Sequence, residues 1–233
     1  MPGLFGYIIW LLGALLEAGV VVCAIKKKAL RPYLFLNMYM AASLFVNIGR
    51  YNIVHHYGVA SGEYIYFYYY SDTLLTIFLY FALTSLFSRV FSEMHAEQYV
   101  KLGAVLLLGG TAVFSYAVVH QAETKLVSRF VVELSQNLYF VGLVLTYVLW
   151  AAVLKLRETR TRLVQLVLSL GVYFSLLAAN YALRNLYPSM MSMSVFQFLV
   201  PLVGCFLPAA WAYAFWRIPE EARLVPARLA VIR

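Results

Sequence analysis

Residues 4–28 read LFGYIIWLLGALLEAGVVVCAIKKK: an apolar run interrupted by one acid, Glu17, and closed by Lys26, Lys27 and Lys28. A hydrocarbon core about 30 Å thick takes ~20 residues of helix to cross, so the run has the length of a membrane span. A secretory signal carries its basic residues ahead of the apolar stretch. Here they follow it, and the run reads as a retained helix.

Six similar stretches follow at 33–54, 64–88, 100–119, 130–154, 163–186 and 193–216, so that 4–25 is the first of seven. The gaps between them are short and hold charge, proline or both, as helix connections do. With 64% hydrophobic and 12% charged residues in a chain of 233, a water-soluble fold could not cover its apolar surface. A membrane strand needs only ~10 residues of alternating character, which these long continuous runs do not match. The expected fold class is all-α: a seven-transmembrane-helix bundle over 1–216, with a short basic tail at 217–233.

Charge sets the expected orientation. Lys26, Lys27, Lys28, Arg31, Arg89, Lys101, Lys155, Arg157, Arg160, Arg162, Arg217, Arg223, Arg228 and Arg233 all fall on one side of the seven spans. The other side, helix ends included, holds Arg50, Lys125, Arg129 and Arg184. The positive-inside rule then predicts an outer N-terminus and a cytoplasmic C-terminus. Attraction to anionic lipid accounts for the net charge of +8, so membrane lipid is the expected partner and nucleic acid is not. Tyr64, Tyr66, Tyr68, Tyr69 and Tyr70 crowd the outer entrance of the third span, where amphipathic rings favour the interface.

In the tail, Pro219, Glu220 and Glu221 suit a first helical turn that Pro226 ends. Leu224, Val225, Leu229, Val231 and Ile232 among arginines suit a segment lying on the inner membrane surface or docked on a protein partner. In the seventh span, Pro201 and Pro208 deprive the carbonyls of Gln197 and Gly204 of their amide donors, which predicts a hinge. The first three and last three spans share an orientation around a lone fourth. A 3+1+3 parallel repeat is one reading of that plan, with Ser43, Asn47 and Arg50 echoed by Ser175, Asn180 and Arg184.

Polar groups inside hydrocarbon are costly and mark either structural pairing or function. At ~1.5 Å per residue, Asn47, Asp72, Asn137 and Asn180 fall roughly 9–12 Å below the outer surface, with Arg50, Glu133, Gln136, Arg184 and Gln197 above them. Spacings of three or four residues put Asn47 with Arg50, Glu133 with Asn137 and Asn180 with Arg184 on shared helix faces. Two explanations compete. The acids and arginines neutralise one another and fix the bundle, or Asn47, Arg50, Asp72, Glu133, Asn137, Asn180, Arg184 and Gln197 line an outward-facing cavity for a small ligand. Glu17 sits deeper, level with Ser43, Thr76 and Ser175, and suits a carboxyl hydrogen-bonded to a neighbouring hydroxyl.

The sequence makes no case for catalysis or a cofactor. His55, His56, His95 and His120 lie at helix ends or in connections, unlike facing haem ligands. The last span has no lysine for a Schiff base, and neither HExxH nor GxSxG occurs. Cys23 and Cys205 differ in depth, which argues against a disulfide.

Tyr68-Tyr69-Tyr70-Ser71-Asp72, Phe87-Ser88-Arg89-Val90-Phe91, Glu133 and Gln136-Asn137-Leu138 resemble short seven-helix hypothetical proteins of bacterial genomes, a likeness that covers most of the chain. The resemblance implies the seven-helix fold and a bacterial cytoplasmic membrane, and nothing about activity. Three functions remain: a sensor or accessory module, a small-solute transporter, and a structural subunit of a membrane complex. The non-enzymatic module and subunit rank first together.

Overall fold

A computed structural model describes residues 4–58, 60–91, 97–120, 126–156, 159–186 and 194–223; within these, the side chains of 4–6, 97, 126–128, 181, 184–186 and 194–201 lie outside the description. Among the described residues there are seven helices: α1 Leu4–Lys26, α2 Leu34–Tyr57, α3 Gly62–Val90, α4 Glu97–His120, α5 Leu126–Lys155, α6 Thr161–Leu186 and α7 Ser194–Arg217. Five of them, α1, α3, α4, α5 and α6, hold stretches long and apolar enough to cross a membrane. α2 is not among these five; it carries Asn37, Asn47, Arg50 and Asn52 and ends in His55 and His56.

Several helices outrun the stretches read from hydropathy. α3 begins two residues earlier, at Gly62, because Ser61 caps it: the Ser61 hydroxyl accepts the Tyr64 amide at 3.1 Å. A free hydroxyl oxygen placed there satisfies one of the unpaired amides of the first turn. α4 and α5 extend through polar flanks, which hydropathy cannot assign because a helix end need not be apolar.

Six helices close a ring. Its order is α1, α2, α3, α5, α6, α7 and back to α1, while α4 stands outside against α5 and, less extensively, α3. Helices consecutive in the chain run in opposite directions, so α3 and α5, neighbours in the ring, are parallel: Thr73 meets Val131 and Thr76 meets Ser135. One end gathers the start of α1, the α2–α3 turn and the starts of α5 and α7; the other, the basic end, gathers Lys26, Leu34, Val90, Lys155, Thr161 and Arg217.

Inside the ring towards the basic end, Leu36, Met40, Leu79, Leu83, Leu86, Leu166, Leu170, Trp211 and Phe215 are fully or almost fully buried in one continuous core. At ~25 cal/mol per Å², each such side chain contributes ~1.5–3 kcal/mol relative to water, although a chain already in lipid gains mainly from close packing. That closeness is clearest between α5 and α6. A Cβ added at Gly142 would overlap the Phe174 ring, and one added at Gly171 would overlap Trp150. The outer face of the bundle is apolar too: Leu11, Leu15, Phe45, Val105, Leu106, Val113 and Leu154 are each more than 60% exposed, the pattern of a bundle surrounded by hydrocarbon.

At the basic end, Arg162 on α6 is buried beneath the segment that follows α7. Its Nε and Nη2 donate to the Ile218 carbonyl at 2.8 and 2.5 Å, and Nη1 pairs with Glu220 at 2.7 Å. The Tyr33 hydroxyl donates to the same carboxylate at 3.0 and 3.2 Å, and Arg89 lies over the Tyr33 ring. Thr161 N donates to the Ala222 carbonyl, and Arg160 bridges Arg223. The helical turn expected at Pro219–Glu221 is therefore replaced by a turn and a short extended contact over 218–223. Glu220 is taken by Arg162 and Tyr33, and the Ala222 carbonyl by α6, so these groups serve tertiary partners. The apolar tail beyond Arg223 lies outside the described residues.

Candidate functional site

Three polar clusters line the half of the ring away from the basic end. Each is positioned by the periodicity of its helices.

The first joins α1 and α2. Glu17 is ~20 Å along α1 from Leu4, at the depth of Ser43 and Asn47, which are one turn apart and so share a face. Ser43 Oγ donates to Glu17 Oε1 at 2.5 Å, and the Asn47 amide donates to both carboxylate oxygens at 2.9 and 2.8 Å. Glu17 is 6% exposed. A carboxyl at that depth is tolerated because every nearby partner offers hydrogen.

The second joins α2 and α3. Arg50 stands one turn beyond Asn47 but turns the other way: Nε and Nη2 donate to Ser71 Oγ at 3.2 and 2.9 Å, Nη2 reaches the Tyr68 carbonyl at 3.4 Å, and the guanidinium lies 4.5 Å from the Tyr68 ring centre. Tyr68 thus faces the bundle, whereas Tyr66, Tyr69 and Tyr70 are exposed on its outside.

The third joins α3 and α5. Ser135 Oγ lies 2.7 Å from Asp72 Oδ2, Tyr139 donates to Oδ1 at 3.3 Å, and Thr76 Oγ1 lies 3.1 Å from Ser135 Oγ and 2.8 Å from the Asp72 carbonyl. A turn away, Thr73 donates to the Val131 carbonyl at 2.8 Å. Tyr39 of α2 is buried, and Tyr173 of α6 is half-buried against the same core.

The residues singled out from the sequence therefore separate. Asn47 serves Glu17, Arg50 serves Ser71 and Tyr68, and Asp72 is met by Ser135 and Tyr139. Asn137 donates to Ser115 of α4 at 3.0 Å and lines an open groove of about 440 Å³ between α4 and α5, on the outside of the ring. Glu133 is half-buried on α5. Asn180 is 8% exposed, and its carbonyl oxygen has no partner among the described residues. The side chains of Arg184, Gln197 and Pro201 lie outside the description; Pro208 is buried, and α7 is assigned as one helix from Ser194 to Arg217 through both prolines.

Ser71, Ser115, Ser135, Tyr39, Tyr139 and Tyr173 were not among the sequence candidates. Serines and tyrosines are common in membrane helices, and only the placement of a carboxyl or guanidinium opposite distinguishes these. Among the described residues no group of three His, Cys, Asp or Glu could hold a metal ion. Comparison with family models, with curated proteins and with solved structures finds no match for this chain.

Proposed function

We propose that the chain is a multi-pass protein of the bacterial cytoplasmic membrane that crosses seven times, N-terminus outside and C-terminus in the cytoplasm. It carries no catalytic machinery of its own and acts as a sensor-like or accessory subunit of a membrane complex, taking a small polar or amphipathic ligand in the outward half of the ring. Its partners are membrane lipid and a protein bound at the cytoplasmic face or the lipid-facing surface, without nucleic acid.

The distribution of polarity inside the ring supports this reading best. Glu17, Asn47, Arg50, Asp72, Tyr139 and Asn180 occupy one half, while Leu36, Leu83, Leu86, Trp211 and Phe215 fill the other. A ligand could enter the polar half but would meet a packed core beyond it, the arrangement of a binding site more than of a passage. Arg50, backed by Tyr68, suits the anionic part of such a ligand, and the tyrosines its apolar part. The runner-up is a small-solute transporter. Its support is the ring order, because α1–α2–α3 and α5–α6–α7 occupy equivalent halves, the order a 3+1+3 parallel repeat would give.

Accessibility tests the reading. With Cys23 and Cys205 replaced by serine, single cysteines at Asn180 and Arg50 should react with a membrane-impermeant maleimide added outside intact cells. A cysteine at Arg160 should react only after permeabilisation. Labelling of position 160 from outside would reject the orientation, and inertness of both outer positions would reject an outward-open site. Small molecules that co-purify in mild detergent, identified by mass spectrometry and lost on Arg50→Ala, would name the ligand.

A further inference from the structure

At the basic end, α1 closes in a turn that would ordinarily be built on glycine. The Ala29 amide donates to the Ala24 carbonyl at 2.8 Å and the Lys28 amide to the Ile25 carbonyl at 3.1 Å, while Ala24 and Ala29 are both buried. This pair of bonds ends a helix on one residue of left-handed backbone. That residue is Lys28, with a φ of 53°, and among the described residues it is the one non-glycine with positive φ. A Cβ is crowded in that conformation, so the backbone gains nothing from a lysine there. Orientation in the membrane does not call for it either, because charge anywhere in the connection satisfies the positive-inside preference. A side chain carried on backbone that disfavours it points to a use for the side chain itself.

The neighbours of Lys28 indicate that use. The Lys27 ammonium lies 5.3 Å from the centre of the Trp216 ring at the end of α7. Trp216 is 51% exposed, and Arg217 follows it. Lys27, Lys28, Arg31 and Arg217 are all exposed, and none of them pairs with an acid among the described residues. Of the acids that follow α7, Glu220 is held by Arg162 and Tyr33, and Glu221 is exposed.

We propose that Lys27, Lys28 and Arg217, beside the Trp216 ring and with Arg31 in the same turn as Lys28, form a docking site for the headgroup of an acidic phospholipid. Charge complementarity names the occupant: unpaired cations meet a headgroup of net negative charge, and an exposed indole favours the headgroup layer. α1 and α7 are in extensive contact, so a headgroup held by both helix ends ties the first helix of the ring to the last. The proposal rests on the reading of the basic end as lying at a membrane surface, and it narrows the lipid partner to one seam.

The test follows the melting midpoint of the full chain in mild detergent as phosphatidylglycerol is added. Phosphatidylcholine at the same mole fraction and inorganic phosphate at the same ionic strength are the comparisons. The expected result is a saturable rise with phosphatidylglycerol alone. Lys28→Gly should melt at or above the wild-type midpoint without lipid, because it relieves the left-handed residue. It should nevertheless need ~5-fold more phosphatidylglycerol for half the rise, the loss expected for one ammonium at an anionic surface. Lys155→Gln removes one charge from the end of α5, at the same end of the bundle, and should leave half-saturation unchanged. Equal rises with the two lipids would overturn the proposal, and that comparison needs no variant. An equal rise with inorganic phosphate would overturn the lipid as occupant. Equal losses in Lys28→Gly and Lys155→Gln would overturn the site by showing that net charge alone draws the lipid. Orientation is read separately by labelling at position 160, so a missing phosphatidylglycerol response would overturn this site and leave the seven-crossing plan standing.

Discussion

Replacing Arg162 by alanine should loosen the basic end more than any other single truncation of a charged group there. The Arg162 side chain is 5% exposed and holds two partners from one segment, the Ile218 carbonyl through Nε and Nη2 and Glu220 through Nη1. Hydrogen bonds to a charged group are worth ~1.5–3 kcal/mol net, which sets the Ile218 share at about 2 kcal/mol. The Glu220 side chain is 45% exposed, so solvent screens its share to ~0–1 kcal/mol. Lost packing of the arginine stem adds roughly 0.5–1 kcal/mol. The sum is about 3 kcal/mol, or ~6–12 °C in melting midpoint for a chain of this size.

Arg162→Lys keeps the charge but not the planar fork that spans both partners, and should recover less than half of the loss. Glu220→Gln still accepts the Tyr33 hydroxyl and should cost ~1 kcal/mol or less. Tryptophan fluorescence melting in mild detergent ranks the three, and limited proteolysis after Arg217 reports release of the segment. An Arg162→Ala protein melting within ~2 °C of wild type would refute the reasoning. So would a Glu220→Gln loss as large as that of Arg162→Ala, because the carboxylate and not the carbonyl would then be the anchor.

Ser43→Ala should cost ~1–3 kcal/mol by removing a donor from the buried Glu17, whereas Glu17→Gln should be milder because it removes the charge as well; the two melting midpoints decide the order. Gly171→Leu should force α5 and α6 apart at Trp150 and lower the midpoint by more than ten degrees, while Gly204→Ala on α7, where a Cβ meets open space, should leave it within ~2 °C. Asn137→Ala should weaken the attachment of α4 by breaking the contact with Ser115, seen as faster hydrogen exchange in α4 with the rest of the chain unchanged.

The helices were legible because hydrocarbon imposes a length on any segment that crosses it, and the runs at 64–88, 130–154 and 163–186 meet that length plainly. Depth was legible too. Ser43 was placed level with Glu17 by helical rise alone, and the two are in contact. Azimuth was not. Asn47 and Arg50 are three residues apart and were read as sharing a face, yet a helix turns ~300° in three residues, and the remaining ~60° sends Asn47 to α1 and Arg50 to α3. The acid–arginine neutralisation weighed for Asp72 and Arg50 is replaced, in the contacts described, by hydroxyls and a tyrosine ring; these weaker partners are numerous in the sequence, and composition could not select among them. The docking of Glu220 on Arg162 joins residues 58 apart and has no local signature.

The position of α4 outside the ring has a consequence for how the chain enters a membrane. α4 contributes nothing to the closure of the ring, and an enclosure of six helices would stand without it. Yet each crossing reverses the direction of all that follows, so the number of crossings between the two halves decides whether they enter with the same or the opposite sense. With α4 the count is odd, and α5 runs parallel to α1 and α3; Thr73 can meet Val131, and Asp72 can meet Ser135. Deleting residues 97–120 would uncover the smaller core in which Ala104, Leu108 and Ala112 pack on Tyr80, Leu134 and Leu138, and would also change the parity. In the seven-crossing plan proposed above, α5 would then either insert upside down, carrying Arg160 and Arg162 away from the side of the other basic groups, or stay out of the ring. The helix that stands outside the ring is, in that plan, the one that sets the relative direction of its two halves.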